Sequence, residues 1–156
     1  MFSLARLREL RAPGQRIALK PAHYALVDRA AKTIADALAA DATVYGVNTG
    51  FGKLAQTRIP PDRLRQLQRN LLLSHAAGTG EALSTDVVRL VLALKVASLA
   101  RGHSGVRREL IDALVALYNQ DLLPVVPAKG SVGASGDLAP LAHLSAVLIE
   151  IGRAHV

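Results

Sequence analysis

The 156-residue chain contains no cysteine and no tryptophan, and aromatic residues make up only 3% of it. Without cysteine, disulfides and thiol catalysis are excluded, and the composition fits a reducing compartment. The scarcity of aromatic rings leaves little surface on which nucleic-acid bases could stack. With 51% hydrophobic and 20% charged residues, the composition predicts one soluble globular domain with a sizeable core.

Long hydrophobic runs are also missing. The most apolar segment, residues 87–100, is interrupted by Arg89 and Lys95 and is too short to cross a bilayer. The N-terminal residues 1–6 lack a continuous apolar core of signal-peptide length. We therefore expect no contact with a membrane and a cytoplasmic location.

The formal net charge of +7 raises the possibility of a nucleic-acid partner. The basic residues are scattered along predicted helices instead of forming a cluster, which favours solvated helix faces. We therefore expect no nucleic-acid partner. A basic helical binding module without catalysis stays as the alternative from another class, and salt-dependent affinity for DNA would indicate it.

Helical spacing of apolar residues dominates the chain and predicts an all-α fold with at most a small extended element. Asp137 is a candidate N-cap of the last helix, and Ser84 is a candidate N-cap of a long central one. A short extended piece is expected at 43–47. The predicted helices span 21–40, from after Asp62 to about 78–80, 84–101, 106–119, and from 138 onward.

Two segments combine glycine with residues that can carry chemistry. The first, Val44-Tyr-Gly-Val-Asn-Thr-Gly-Phe-Gly52, presents a lone tyrosine, Tyr45, on a glycine-rich loop. Its spacing does not fit a P-loop, since Gly46 and Gly52 stand one residue too far apart and no Ser or Thr follows Lys53. Taken alone, this segment indicates an ordinary glycine-rich turn.

A relaxed dinucleotide-binding pattern can be drawn through Gly50, Gly52 and Ala55 of the same loop. Such a pattern requires a helix to begin there, and the run Arg58-Ile-Pro-Pro61 interrupts it. No acidic residue lies about twenty positions further on, where a ribose would need one. Nucleotide binding is therefore not expected.

The second segment is Lys129-Gly-Ser-Val-Gly-Ala-Ser-Gly-Asp-Leu-Ala-Pro-Leu-Ala-His143. With glycine at position 136, the backbone can fold tightly enough for the Gly136 nitrogen to attack the carbonyl of Ala134. Loss of one water from the new ring and one from the Ser135 side chain leaves a methylene group on an imidazolone. The product is a strong electrophile made from the protein alone.

This fifteen-residue run resembles the signature of the aromatic amino acid ammonia-lyases, and their Tyr-Gly-Val-x-Thr-Gly-Phe-Gly loop resembles the first segment. The resemblance implies that Ala134, Ser135 and Gly136 form 4-methylidene-imidazol-5-one (MIO) autocatalytically, with no metal and no external cofactor. It also implies that Tyr45 is the catalytic base and that Asp137 supports MIO formation. The implied architecture is the MIO-forming region, residues 1–149, of the ammonia-lyase/fumarase-like helical fold.

A third segment, Gln68–Gly80, suggests the substrate. In the family, the Ser74-His75 pair occupies a substrate-selecting position, where members acting on phenylalanine or tyrosine pair Phe or His with Leu. The His75 ring can hydrogen-bond an imidazole, which an apolar residue cannot. The resemblance is closest to the histidine ammonia-lyases, and it implies L-histidine as substrate and trans-urocanate as product. Another MIO-dependent lyase or an aminomutase is the alternative within the family.

The remaining histidines show no metal-ligand spacing, so surface or structural roles are expected for His23, His103, His143 and His155. The resemblance covers nearly the whole chain but only the N-terminal part of a family subunit. It implies a homotetramer whose active sites draw on several subunits, so this chain alone is expected to be inactive. Residues 150–156 depart from the family pattern and resemble the translation of a sequencing adapter, so a non-native tail is expected there.

Overall fold

The computed structural model describes residues 2–133 and 136–149, together with the backbone of residues 154 and 155. Ala134, Ser135 and most of the suspected tail therefore lie outside the described residues. The described helices are α1 (Leu4–Leu10), α2 (Pro21–Ala39), α3 (Leu64–His75), α4 (Thr85–Leu99), α5 (Arg108–Asn119) and α6 (Leu138–Ala146). Short 3-10 turns occupy Gly52–Leu54, Pro61–Arg63 and Val147–Ile149.

Helix α4 is the centre of the hydrophobic core. Val88, Leu92 and Val96 are almost completely buried, and they recur at the four-residue spacing of one helix face. Helices α1 and α5 and the strand after α5 pack against α4. Burying each of these aliphatic side chains stabilises the fold by about 1.5–3 kcal/mol relative to an exposed position. The other large residues of this core are Leu10, Ile17, Val27, Ile111, Leu114, Tyr118 and Leu144.

One charged residue, Arg89, belongs to this core and is only 1% exposed. Its guanidinium lies 4.3 Å from the centre of the Tyr118 ring, forms an ion pair with Asp121 and donates to the carbonyl of Gln15 at 3.0 Å. These contacts compensate for much of the lost hydration of the charge. They also hold the segment before α2 against the end of α5, where Asn119 exchanges two hydrogen bonds with the backbone of Ile17.

Among the described residues, the extended structure comprises two small antiparallel ribbons and an isolated bridge between Thr49 and Arg58. Strand β1 (Thr79–Ala82) pairs with β3 (Pro127–Lys129), and β2 (Leu123–Pro124) pairs with the backbone of β4 (Ala154–His155). The first ribbon joins the chain after α3 to the chain before α6. The prediction of an all-α fold with a small extended element is confirmed.

The predicted helix over 21–40 is confirmed within one residue. The prediction over 84–101 begins one residue before α4 and ends two residues after it, and the prediction over 106–119 begins two residues before α5. Two local predictions were wrong. Residues 43–47 are not a strand, because a turn over 45–47 brings the N–H of Val47 to the carbonyl of Val44 at 3.0 Å. The second helix stops at His75 and not near Gly78, since Ala76 leaves the helical region (ψ 54°) and Thr79 pairs with Lys129. Helix α1 was not predicted.

The two predicted N-caps occupy their positions without capping through their side chains. Ser84 has the extended backbone of an N-cap, but its hydroxyl donates to Asp86 at 2.5 Å. This hydrogen bond, together with the Arg11 guanidinium, holds the pKa of Asp86 at about 2. Asp137 precedes α6 with φ −107° and ψ 73°, and its side chain makes no capping hydrogen bond among the described residues.

Helices α3 and α6 pack against each other at one side of the molecule. Helix α3 has no fully buried residue, and α6 buries only Ala142, Leu144 and Ala146. Leu73, on α3, and Leu138, on α6, stay exposed. This side of the molecule is therefore a thin layer over the core.

Replacing Tyr118 with Phe tests the polar anchor of α1. The Tyr118 hydroxyl donates to the buried carbonyl of Leu10 at 2.7 Å, and its removal leaves that carbonyl unpaired at a cost of about 1–2 kcal/mol. We expect amide hydrogen exchange in α1 to accelerate roughly tenfold, measured by mass spectrometry. The control Tyr24→Phe removes an exposed hydroxyl that donates to Asp112 and should leave α1 unchanged. Unchanged exchange in the Tyr118 variant would contradict this account.

Candidate active site

The loop that carries Tyr45 is held by a buried asparagine. Asn48 is 3% exposed, and its side chain accepts from the N–H of Val44 at 2.7 Å and donates to the carbonyl of Ala42 at 2.9 Å. The buried Thr49 hydroxyl accepts from the N–H of Gly46 at 3.2 Å. These short-range bonds close the turn on both sides of Tyr45.

A second set of contacts ties the far end of this loop back to its start. The N–H of Gly50 donates to the backbone carbonyl of Thr57, and the N–H of Ile59 donates to the backbone carbonyl of Asn48, each at 2.9 Å. Arg58 forms an ion pair with Asp41, whose pKa is lowered, first by the hydrogen bond from the guanidinium and then by its charge. Backbone hydrogen bonds and one surface ion pair thus hold the two ends of this loop together.

Only glycine fits at position 50. A Cβ there would lie 2.5 Å from the Leu54 Cβ and 2.7 Å from the Leu54 carbonyl oxygen. Glycine is therefore required at position 50 because the backbone there approaches Leu54 closely, and not only because glycine turns freely.

The Tyr45 ring projects from this frame and is 63% exposed. It packs edge-on against Phe51, with 5.8 Å between ring centres and 65° between ring planes. Gln68 on α3 donates to the carbonyl of Gly46 at 3.5 Å and so connects the turn to that helix. Tyr45 therefore sits on a fixed support with its ring free to meet a ligand.

His75 ends α3, and its ring is oriented by the helix itself. Its Nδ1 lies 2.8 Å from the carbonyl oxygen of Leu71 and 3.2 Å from the Ser74 hydroxyl. A carbonyl only accepts, so this network assigns the proton of the neutral ring to Nδ1 and leaves Nε2 as an acceptor.

Tyr45 and His75, which are thirty positions apart in sequence, line the same cavity of about 550 Å³. Its walls come from the tyrosine loop, α3, α4 and α6, and they are mostly apolar. Sequence analysis missed Lys95 and Ser145, although a lysine inside the apolar run of α4 was a usable signal. The other lining residues are Phe51, Gly52, Leu71, Leu72, Leu138, Leu141 and Ala142.

The segment between β3 and α6 leads to this cavity. Gly136 has φ +128°, which L side chains rarely adopt, and no atom lies within 4 Å of a Cβ built on it. Asp137 Oδ1 is buried without a hydrogen-bond partner among the described residues. Leu138, the first residue of α6, already lines the cavity. Ala134 and Ser135 immediately precede these residues and lie outside the described part of the chain.

Two of the other predicted structural histidines make backbone contacts. His23 Nδ1 accepts from the N–H of Lys20 before α2, and His143 Nε2 accepts from the N–H of Gly78 at 3.0 Å. Across residues 2–133 and 136–149, no three His, Asp or Glu side chains gather as a metal site. Within the same ranges, no helix has the length and apolar character needed to span a bilayer.

Comparison with known proteins identifies the family of this chain. The profile of the family described as aromatic amino acid lyase matches residues 2–156. The chain belongs to this family. It is 60% identical over 155 residues to a histidine ammonia-lyase of Aromatoleum aromaticum, covering 99% of this chain and 30% of that protein. The chain thus spans about 30% of the length of the curated relatives it matches.

Solved structures support the same assignment. Histidine ammonia-lyase from Trypanosoma cruzi superposes with a TM-score of 0.81 at 38% identity, over 90% of this chain and 27% of that one. Tyrosine aminomutase from Streptomyces globisporus superposes with a TM-score of 0.86 at 28% identity, over 95% and 28%. The fold of this chain therefore matches part of the ammonia-lyase/aminomutase fold.

Replacing Asn48 with Ala tests the support of the tyrosine loop. The N–H of Val44 and the carbonyl of Ala42 would lose their partner, which costs about 1–3 kcal/mol at a buried position. We expect faster amide exchange at Gly50 and Ile59, together with faster proteolysis of the loop. The control Asn70→Ala removes an exposed acceptor of Gln66 and should change neither rate. An Asn48 variant with wild-type exchange would contradict the proposed support.

Proposed function

We propose that this chain is the N-terminal, MIO-forming part of a histidine ammonia-lyase, which eliminates ammonia from L-histidine to give trans-urocanate. The observation that carries the proposal is the shared cavity of Tyr45 and His75 beside the start of α6. On this proposal residues 1–149 are the family segment and 150–156 a non-native tail. The complete subunit works as a cytoplasmic homotetramer and supplies the other active-site residues.

The described residues next to the ring-forming triplet fit MIO. Gly136 already has a backbone conformation suited to glycine, and the space around it is open. The buried Asp137 Oδ1, unpaired among the described residues, lies one residue away and can accept a hydrogen bond during ring formation. When formed from Ala134, Ser135 and Gly136, MIO supplies an electrophile that withdraws electron density from the substrate.

Residues of this chain then transfer the proton, orient the substrate and exclude water. Tyr45 lines the cavity from a turn held by Asn48 and Thr49, and on this proposal its phenol oxygen accepts the proton from the substrate β-carbon. His75 Nε2 accepts the N–H of the substrate imidazole and orients that ring. The apolar walls from α3 and α6 exclude water, and the N-terminus of α6 favours negative charge that develops beside Gly136.

An aminomutase is the second candidate, because a tyrosine aminomutase superposes well on this chain. An aminomutase uses the same electrophile but transfers the amine from the α-carbon to the β-carbon of the substrate. The Ser74-His75 pair and the 60% identity to a histidine ammonia-lyase favour the lyase. A β-amino acid product would decide for the aminomutase.

Substrate preference is tested in a subunit of full family length that contains residues 1–149. We expect L-histidine to give urocanate and phenylalanine to react poorly, measured by the ultraviolet absorbance of each product. His75→Phe should lower the preference for histidine by at least roughly tenfold, because the imidazole N–H then lacks its acceptor. The exposed-histidine control His103→Phe should retain the preference. Equal or better turnover of phenylalanine by the unsubstituted enzyme would refute the substrate assignment.

The electrophile and the base are separable in the same full-length subunit. Ser135→Ala leaves no hydroxyl to eliminate, so the loss of two waters from the peptide should appear by mass spectrometry in wild type only. Tyr45→Phe should keep that mass loss while turnover falls on the order of 10²–10⁴-fold, since only proton transfer is removed. Tyr24→Phe serves as the control for the tyrosine substitution. An unmodified peptide in fully active wild-type enzyme would overturn the MIO assignment.

A further inference from the structure

The chain that leaves α3 after His75 is bonded to α6 three residues later. The N–H of Gly78 donates to Nε2 of His143, in the second turn of α6, at 3.0 Å. Between His75 and Gly78 the chain is compact, because the N–H of Ala77 donates back to the carbonyl of His75 at 2.8 Å. The position of Gly78 therefore constrains the position of His75 at the end of α3.

His143 stands on a part of α6 that is anchored in the core. Its neighbours Ala142 and Leu144 are only 4% and 1% exposed, and Leu144 belongs to the core cluster around α4. Helix α3, in contrast, has no fully buried residue. Helix α6 is thus the more firmly placed of the two, and the hydrogen bond from Gly78 transmits that placement to the end of α3.

The contact between Gly78 and His143 is tightly packed and has a defined chemistry. A Cβ on Gly78 would lie 3.1 Å from His143 Nε2 and 3.2 Å from the carbonyl oxygen of Lys129. Backbone N–H groups only donate, so Nε2 must present its lone pair, and the proton of the neutral His143 ring is on Nδ1. Position 143 therefore needs an acceptor that reaches as far as Nε2.

The His75 ring moves with the end of α3. Its Nδ1 is held by the carbonyl oxygen of Leu71, one turn earlier in the same helix, at 2.8 Å. A displacement of the end of α3 would therefore carry His75 Nε2 with it. The wall of the same cavity includes Leu141 and Ala142 of α6, so the bond to α6 sets the distance between the His75 acceptor and that wall.

We propose that His143 is a positioning residue for substrate recognition, which acts through Gly78 to hold His75 where its Nε2 accepts from the substrate imidazole. The inference rests on the proposed function, because it requires that His75 binds the imidazole of L-histidine. A hydrogen bond weakens steeply when its acceptor moves by about 1 Å. The bond to His143 therefore matters for substrates that use His75 Nε2.

The first test compares two amide substitutions in the full-length subunit. The side chain of His143→Gln reaches about as far as Nε2 and can accept from Gly78, whereas the shorter side chain of His143→Asn cannot. We expect His143→Asn to lower kcat/KM for L-histidine about tenfold, mainly through a higher KM, because binding of the imidazole is weakened. His143→Gln should stay within about twofold of wild type, since it restores the acceptor. The matched control His103→Asn, at an exposed position, should behave as wild type.

The second test repeats the comparison without His75. In the His75→Phe background there is no imidazole acceptor to position, so adding His143→Asn should change kcat/KM for L-histidine by less than about twofold. An equal loss in both backgrounds would show that His143 supports the subunit in general, and it would overturn the assignment of His143 to substrate recognition.

Thermal unfolding and oligomeric state are measured on the same samples, so that a failure to fold is recognised. If His143→Asn does not fold, Gly78→Ala disturbs the contact from its other side and should raise the KM for L-histidine only while His75 is present. Wild-type KM in a folded Asn variant, or a Gln variant as impaired as Asn, would also contradict the inference. Wild-type enzyme that forms no urocanate from L-histidine would refute the proposed function, and the inference would fall with it.

Discussion

The burial of α4 is the constraint on which the rest of the structure depends. Its inner face is almost inaccessible to solvent, and α1, α5 and β2 are arranged around it. A charged residue, Arg89, lies within this face and is compensated by the Tyr118 ring, Asp121 and the carbonyl of Gln15. Because an unpaired buried guanidinium would be strongly destabilising, these partners determine where the ends of α1 and α5 meet.

Unlike the buried face of α4, the candidate site is formed by elements that are partly exposed to solvent. Helices α3 and α6 are only partly buried, and the tyrosine loop is held mainly by hydrogen bonds of Asn48 and Thr49 instead of by apolar packing. This arrangement allows backbone and side chains to come close together without filling the cavity. A Cβ at position 50 would collide with Leu54 at 2.5 Å, and a Cβ at position 78 or 130 would lie only 3.1 Å or 3.0 Å from its nearest neighbour.

Part of the site could be predicted from sequence because its signals are local. Tyr45 lies on a glycine-rich loop and His75 lies in the second predicted helix, as expected, although this helix ends at His75. The turn over 45–47 was mistaken for a strand, because the Asn48 side chain, which closes it, reaches back four to six residues. The cap expected from Asp137 is absent, because its ψ of 73° is not the extended backbone of a capping residue. The roles of Ala134 and Ser135 stay predictions.

The sequence by itself determined the helical class, the order of the main helices and the identity of the chemically distinctive residues. These properties depend on the spacing of apolar residues and on short motifs, which act over a few positions along the chain. Only the tertiary structure decided that Tyr45, His75 and Lys95 line one cavity and that His143 bonds to Gly78 across 65 positions. Such contacts follow from how α3 and α6 pack over the α4 core, and no local pattern encodes the distance between residues brought together in that way.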